Sequence, residues 1–324
     1  MNTLDSLIPA SRPTFYFIGV STGQSSIMKV FPAWAEALGL GDVVIRGIDC
    51  KVHDDPQVYR SVVDFIKHDP LSLGGLVTTH KLDLFKAARD LFDEVDPHAA
   101  FLGEASCISK RGGKLCAHAK DPLTSGLSFE AFIPSGYWKS GAELCLLGAG
   151  GSSLALTLYL ATLIAADKRP AVVHVTNRSQ PRLDEMRHIH ATLGACGIDF
   201  RYHLCPAAVD NDAVVATLPA GSVVVNATGL GKDAPGSPLT DAVRFPQKGI
   251  VWEFNYRGDL LFLDQALRQK ESAGLTVEDG WVYFIHGWTR VIAEVFAIDI
   301  PVSGPAFDRL GAVAAAVSPN KRKV

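Results

Sequence analysis

Two stretches of this chain hold residue types arranged for chemistry. In "GLVTTHK" (75–81) a strand-like run ends on His80 and Lys81, just before a helix-like run begins. A lysine there is either a solvated strand-end charge or a proton carrier aimed into a cleft, and the local sequence leaves both readings open. His80 is likewise either a polar strand-end residue or a second proton group. In "LLGAGGSS", Gly148, Gly150 and Gly151 separate a short apolar run from a long apolar helical pattern, with Ala149 and Ser152 completing the turn. Such a turn bends tightly and lets backbone N–H groups at a helix N-terminus approach a pyrophosphate. The third small position is Ser153, where glycine or alanine is usual.

The strand that follows separates the dinucleotides. An acidic residue at its end would hold the ribose 2′-hydroxyl of NAD. Here it ends "VTNRSQPR": Asn177 is uncharged, Arg178 and Arg182 can pair with a 2′-phosphate, and Ser179 adds a donor. The pattern favours NADP, with NAD still possible; two solvated arginines at a helix start would leave the preference open.

Elements able to carry these residues are legible around them. "TFYFIGVS", "DVVIRGIDC" and "LGGLVTT" read as strands, alternating with helical patterns over 27–38 and 55–69. After the Pro-, Gly- and Ser-bearing "IPSGYWKSGAE" the alternation restarts, with strands at "AVVHVTNRS", "SVVVNATG" and "GIVWEFNY" and a closing helix over 279–297. The order argues for α/β architecture with parallel strands in two domains: residues 1–135 with 276–324, and a Rossmann-type nucleotide domain over 136–275. The tail "SPNKRKV" is expected to fray.

With 324 residues, 48% of them hydrophobic and 20% charged, the chain can build two cores. A net charge of −3 carries no basic excess for nucleic acid or anionic membrane, yet allows a local pocket for a small anion. Six scattered cysteines without a CxxC pair read as buried free thiols in a reducing compartment. No apolar stretch reaches the roughly 20 residues of a membrane span, and "MNTLDSLIPA" lacks the pattern of a secretory leader, so a cytoplasmic protein is expected. His188 and His190 point apart on a helix, and no metal site is expected.

Read together, the motifs resemble the shikimate and quinate dehydrogenases. "FIGVSTGQSSIMKVFPAWAEALGL" is similar to the family's N-terminal segment, "GGLVTTHK" to its lysine stretch, "LGEASCI" to Gly-Ala-Val-Asn-Thr, and "AKDPLTSG" to its Asn-Thr-Asp. "LGAGG", "TNRS" and "NATGLG" resemble the nucleotide-domain motifs, "EFNY" the strand ending in a tyrosine, and "DGWVYFIHG" the closing helix. The likeness runs, with gaps, from about residue 14 to 298.

The resemblance implies an N-terminal α/β substrate domain completed by a C-terminal helix, plus the Rossmann domain. It implies that Lys81 carries the proton and Asp121 partners it. It places Ser25, Ser26, Thr78, Ser106, Tyr256 and His286 at the substrate, and Ala227, Thr228 and Gly229 at the cofactor. The two serines could instead cap the following helix. The chain departs from the pattern: Lys81 lies three residues after Thr78 rather than four, Ser106 replaces asparagine, Ala119 and Lys120 replace Asn-Thr, and His286 is read at the glutamine position. The expected partner is a small carboxylated cyclic polyol (shikimate, quinate or a similar compound), and the expected state a monomer or homodimer. The alternatives are a non-catalytic sensor of nucleotide or metabolite with the same fold, and a different Rossmann reductase.

Overall fold

The computed structural model describes residues 7–232 and 234–318. The tail beyond Ser318 lies outside these residues, and with it the expectation of fraying. The chain forms two compact units, one holding the residues up to Lys120 together with those from Ile285, the other Asp121–Phe284.

The first unit is built on strands β1 (Thr14–Gly19), β2 (Val44–Asp49), β3 (Ser72–Val77), β4 (Glu94–Val95), β5 (Cys107–Arg111) and β6 (Lys114–His118). Its helices are α1 (Ile27–Ala37), α2 (Pro56–His68), α3 (Lys81–Ala88) and α4 (Pro97–Leu102). The strands line up in the order β2-β1-β3-β5-β6-β4. β1 is parallel to both β2 and β3, because the α1 and α2 crossovers return the chain to the same end of the sheet. β5 and β6 are an antiparallel hairpin that the helix–strand alternation did not reveal. Its turn is Gly112-Gly113, both at positive φ (57° and 81°), a conformation a Cβ would strain.

The second unit starts with α5 (Asp121–Phe132). It continues through β7 (Leu144–Leu147), α6 (Gly151–Thr162), β8 (Val172–Asn177), α7 (Gln180–Thr192), β9 (Asp199–Leu204) and α8 (Ala208–Ala216). Then come β10 (Val223–Asn226), β11 (Ile250–Glu253), α9 (Leu261–Leu267), α10 (Lys270–Ala273) and β12 (Thr276–Glu278). All six strands are parallel, in the order β12-β11-β10-β7-β8-β9. Strand order reverses between β7 and β10, which creates the crevice at the strands' carboxyl ends where ligands bind in such sheets. Leu144, Leu146, Val173, Val175, Val223 and Val225 fill one face with α6 and α7, while Cys145, Leu147, Val224 and Val251 fill the other with α9.

The division at Lys120/Asp121 lies earlier than the Pro/Gly-bearing linker because α5 packs on α6, with Gly126 set against the Tyr159 ring. The expected closing helix is α11 (Trp281–Phe296), and α12 (Pro305–Val317) follows it. The alanine-rich α12, which the sequence reading did not include, docks on α1, where Trp34 Nε1 donates to the Leu310 carbonyl at 2.8 Å. The cysteines are free thiols, five of the six buried.

Candidate functional site

Lys81 owes its place to an unusual turn. β3 ends at Val77, and Thr78 N–H still donates to the Ile18 carbonyl of β1 at 3.0 Å. Thr79 then takes a left-handed conformation (φ 56°), uncommon for a β-branched residue, and His80 N–H turns back onto the Thr78 carbonyl. The chain enters α3 with Lys81 as its first residue. His80 is 1% exposed, and its Nδ1 lies 3.1 Å from the Tyr59 hydroxyl, which also accepts from Asp54 N–H at 3.0 Å. Burial holds its pKa below the ordinary histidine value, and its contact with Tyr59 anchors the turn.

Backbone contacts bring further expected residues alongside. Ala105 N–H donates to the Lys81 carbonyl at 3.2 Å, and Val77 N–H to the Ser106 carbonyl at 2.9 Å. Ser106 Oγ is buried and accepts from Lys120 N–H at 2.7 Å, one residue before Asp121 opens α5. The serine that stands for asparagine therefore holds the Lys120–Asp121 turn. Lys120 itself adds no loose cation, because Nζ lies 2.6 Å from Glu294 Oε2 of α11. Arg111 at 2.7 Å and His118 Nε2 at 3.6 Å surround the other oxygen. His118 also meets Ser109 Oγ at 2.9 Å and Asp96 at 3.5 Å, an arrangement like a hydrolase triad, but Ser109 is 1% exposed and closed to a substrate.

Ser25 and Ser26 are half-buried at the start of α1, and Ser26 occupies the cap position without a side-chain capping bond, so the hydroxyls are not spent there. His286 corrects the expectation. It is 1% exposed, stacks on Phe307 of α12 at 4.4 Å, and is driven down to a pKa of about 4 by burial. Counted along the helix motif, the glutamine position is Gly287, and His286 faces the core.

In the second unit the glycine turn sits at the carboxyl end of β7. Gly148 has φ 109°, and a Cβ there would lie 3.0 Å from Thr228 Cγ2 and 3.3 Å from the Ala227 carbonyl. Around Gly150 and Gly151 a Cβ would meet nothing within 4 Å, and no side chain caps the α6 N-terminus. Open space before uncapped N–H groups fits a pyrophosphate. Ala149 lines the turn and Ser152 stands half-buried in the first turn of α6. Ser153 explains its own departure: its buried hydroxyl donates to the Gly148 carbonyl at 2.5 Å. Asn177 Oδ1 accepts from Arg178 N–H, leaving the Arg178 side chain exposed beside Ser179, while Arg182 pairs with Glu185 at 2.9 Å. Across the crevice, Asn226 Oδ1 accepts from Thr228 N–H at 3.0 Å and Thr228 Oγ1 at 2.6 Å, which shapes Ala227-Thr228-Gly229. Tyr256 is half-buried, its ring 4.7 Å from Phe284.

Sequence reading missed the carboxylates that hold these segments. Glu294 had no local signal, whereas Glu253, a charge inside the apolar "GIVWEFNY", was a readable one. His174 also has partners unseen in sequence: its Nε2 meets Glu143 at 2.8 Å and its Nδ1 meets His203 at 2.9 Å. Among the described residues no group of three or more His, Cys, Asp or Glu side chains is set to hold a metal.

The fold and the glycine turn define an α/β protein whose second unit has the Rossmann dinucleotide-binding architecture. No family model matches the chain. The NADP(+) shikimate dehydrogenase of Streptococcus thermophilus is 25% identical over 182 residues, 56% of this chain and 59% of the relative. That of Caulobacter vibrioides is 29% identical over 145 residues, 45% of this chain and 44% of the relative. The chain thus spans about half the length of the curated relatives it matches. In fold it is similar to quinate dehydrogenase from Corynebacterium glutamicum in complex with NAD (TM-score 0.71, 20% identity, 94% of this chain and 99% of that one). Shikimate dehydrogenase from Aquifex aeolicus gives a TM-score of 0.68 at 18% identity, covering 94% and 98%. By sequence the chain is related over about half its length to NADP(+) shikimate dehydrogenases, and in fold it is similar to shikimate and quinate dehydrogenases.

Proposed function

We propose that this protein is an NADP-dependent oxidoreductase that interconverts a ring hydroxyl and a ketone on shikimate/3-dehydroshikimate or a similar carboxylated cyclic polyol such as quinate. The observation that carries the reading is the sequence relationship to NADP(+) shikimate dehydrogenases, joined to an open, uncapped glycine turn at the β7–α6 crevice. The exposed Arg178 supports NADP over NAD as the cofactor. Gly148 to Ser152 would hold the pyrophosphate, Asn177 to Ser179 the adenosine end, and Ala227 to Gly229 the opposite wall. Bound there, the dinucleotide supplies or accepts a hydride.

The chain's own task is the proton. Oxidising an alcohol releases a proton as well as a hydride, and a positioned group must take it up. Lys81 Nζ is proposed as that group, accepting the hydroxyl proton in oxidation and returning it to the ketone oxygen in reduction. A free lysine amine holds its proton too tightly to serve as a base at neutral pH, so desolvation on binding must ease its release, while Asp121 orients the ammonium. The left-handed Thr79 turn and its His80–Tyr59 anchor fix where the lysine begins. Ser25, Ser26, Thr78 and Tyr256 are the proposed substrate contacts.

The test is reduced-nicotinamide absorbance with NADP or NAD and a panel of shikimate, quinate and related hydroxy acids, with Lys81→Ala alongside. Turnover lost in the variant supports the reading. NADP binding without turnover on any panel member would favour the sensor instead.

A further inference from the structure

Glu253, the last residue of β11, is 0% exposed. Its carboxyl accepts from Asn226 Nδ2 at 2.7 Å, Asn255 N–H at 2.8 Å and Asn255 Nδ2 at 2.7 Å. Each asparagine reaches onward. Asn226 Oδ1 shapes the Thr228 turn, and Asn255 Nδ2 also donates to the Thr228 carbonyl at 3.1 Å and the Leu230 carbonyl at 3.4 Å. Thr228 Oγ1 in turn accepts from Leu230 N–H at 3.2 Å. One buried acid is thus the hub between the segment after β10 and the segment after β11. The first carries Ala227, Thr228 and Gly229, and the second carries Tyr256.

We propose that Glu253 is a positioning residue that locks the Ala227–Leu230 and Asn255–Tyr256 segments together, so that the protonation state of this one carboxyl sets how well the crevice binds its dinucleotide. The inference rests on the dehydrogenase reading for what the two segments bind, but the coupling between them stands on the hydrogen bonds alone.

The neighbourhood contains little to neutralise an anion. Lys232, just beyond the first segment, pulls the other way but is the weakest of the influences on the group. On β12, Glu278 lies opposite Trp252 rather than Glu253, and the Asp279 carbonyl accepts from Trp252 Nε1. From α11, Tyr283 packs on Trp252 and Phe254, and Asp264 of α9 is partly exposed. Burial pushes the carboxyl up to about 8, against the three N–H donors that favour its ionised form. It is therefore mostly protonated at neutral pH. Ionisation above that pH draws the two asparagines harder onto the carboxylate and places a negative charge beside a crevice that takes an anionic ligand.

Two readouts on the full chain separate this inference from the functional reading. In the ligand-free protein, tryptophan fluorescence follows the two segments, because Trp252 precedes Glu253 and Trp281 lies 6.2 Å from the Tyr256 ring. A transition with midpoint near 8 is expected in the wild type and none in Glu253→Gln. The NADPH dissociation constant should rise by roughly fivefold across the same range in the wild type and stay flat in the variant.

Should Glu253→Gln fail to fold, Asn255→Ala serves instead: losing a donor to the carboxylate must move both midpoints to higher pH. Coincident pH profiles in wild type and Glu253→Gln, or an unmoved midpoint in Asn255→Ala, overturn the proposal while leaving the dehydrogenase reading intact. A fluorescence transition confined to the wild type in a protein that binds no NADPH at any pH overturns the dinucleotide coupling and the dehydrogenase reading, leaving only the link between the segments.

Discussion

Lys120 Nζ and Glu294 Oε2 lie 2.6 Å apart, each side chain 17% exposed, and this contact ties the residue before Asp121 to the helix that closes the first unit. Arg111 and His118 converge on the same carboxylate, which the Lys120 bond and the surrounding cations hold below its ordinary pKa despite the opposing pull of burial. Glu294→Gln should cost about 2 kcal/mol of stability, since it leaves the largely buried Lys120 ammonium uncompensated. Urea denaturation measures it. Because the folded pKa is depressed, this contribution is full above the ordinary glutamate range and fades as pH falls through the folded value. An unchanged unfolding midpoint in the variant at neutral pH would show the pair to be energetically idle.

Acid should also destabilise the protein through its buried histidines. His190, between Thr157 at 2.8 Å and the Tyr202 hydroxyl at 2.7 Å, and His286 against Phe307 are both held near a pKa of about 4 by burial. Between that value and the ordinary histidine range the unfolded chain binds more protons, so stability rises with pH. In His286→Leu the slope of stability against pH in that window should fall by about 1.4 kcal/mol per pH unit, one proton's worth. Thermal melts across the window test this; parallel slopes would refute it.

Gly126 is where α5 meets α6. A Cβ there would lie 2.2 Å from the Tyr159 ring, whose hydroxyl is bonded to Glu130 and cannot swing freely. Gly126→Ala should lose about 1–3 kcal/mol through overpacking, despite alanine's better helix propensity. Guanidine denaturation gives the figure, and a stabilised variant would contradict the close packing.

Arg178 is exposed beside the carboxyl end of β8, whereas Arg182 is engaged with Glu185. Arg178→Ala should weaken NADP binding by about tenfold, roughly 1.4 kcal/mol, and leave NAD binding unchanged, with a smaller effect from Arg182→Ala. Isothermal titration with both dinucleotides distinguishes a 2′-phosphate contact from general attraction, which would weaken both alike.

The alternating architecture, the glycine turn and the strand-end residues are legible in the chain alone, because they depend on short-range periodicity and on what glycine alone can do. The run at 144–162 forms β7, the turn and α6 as its pattern requires, and β8 ends at Asn177, two residues short of the strand read over 171–179. Ser153 departs from the usual glycine or alanine, and its hydroxyl on the Gly148 carbonyl accounts for the departure. Tertiary structure alone decided the rest. Lys120 read as a new charge beside Asp121, but a partner 174 positions away neutralises it. Ser106 read as a shortened substrate contact, and only the fold shows that its hydroxyl oxygen also holds a backbone turn across a strand pair. His286 read as a site residue, and helical rotation by one position turns it onto α12, an element outside the sequence reading. In each case the deciding partner is remote in sequence, and burial, which sets both charge state and availability, is a property of the packed whole.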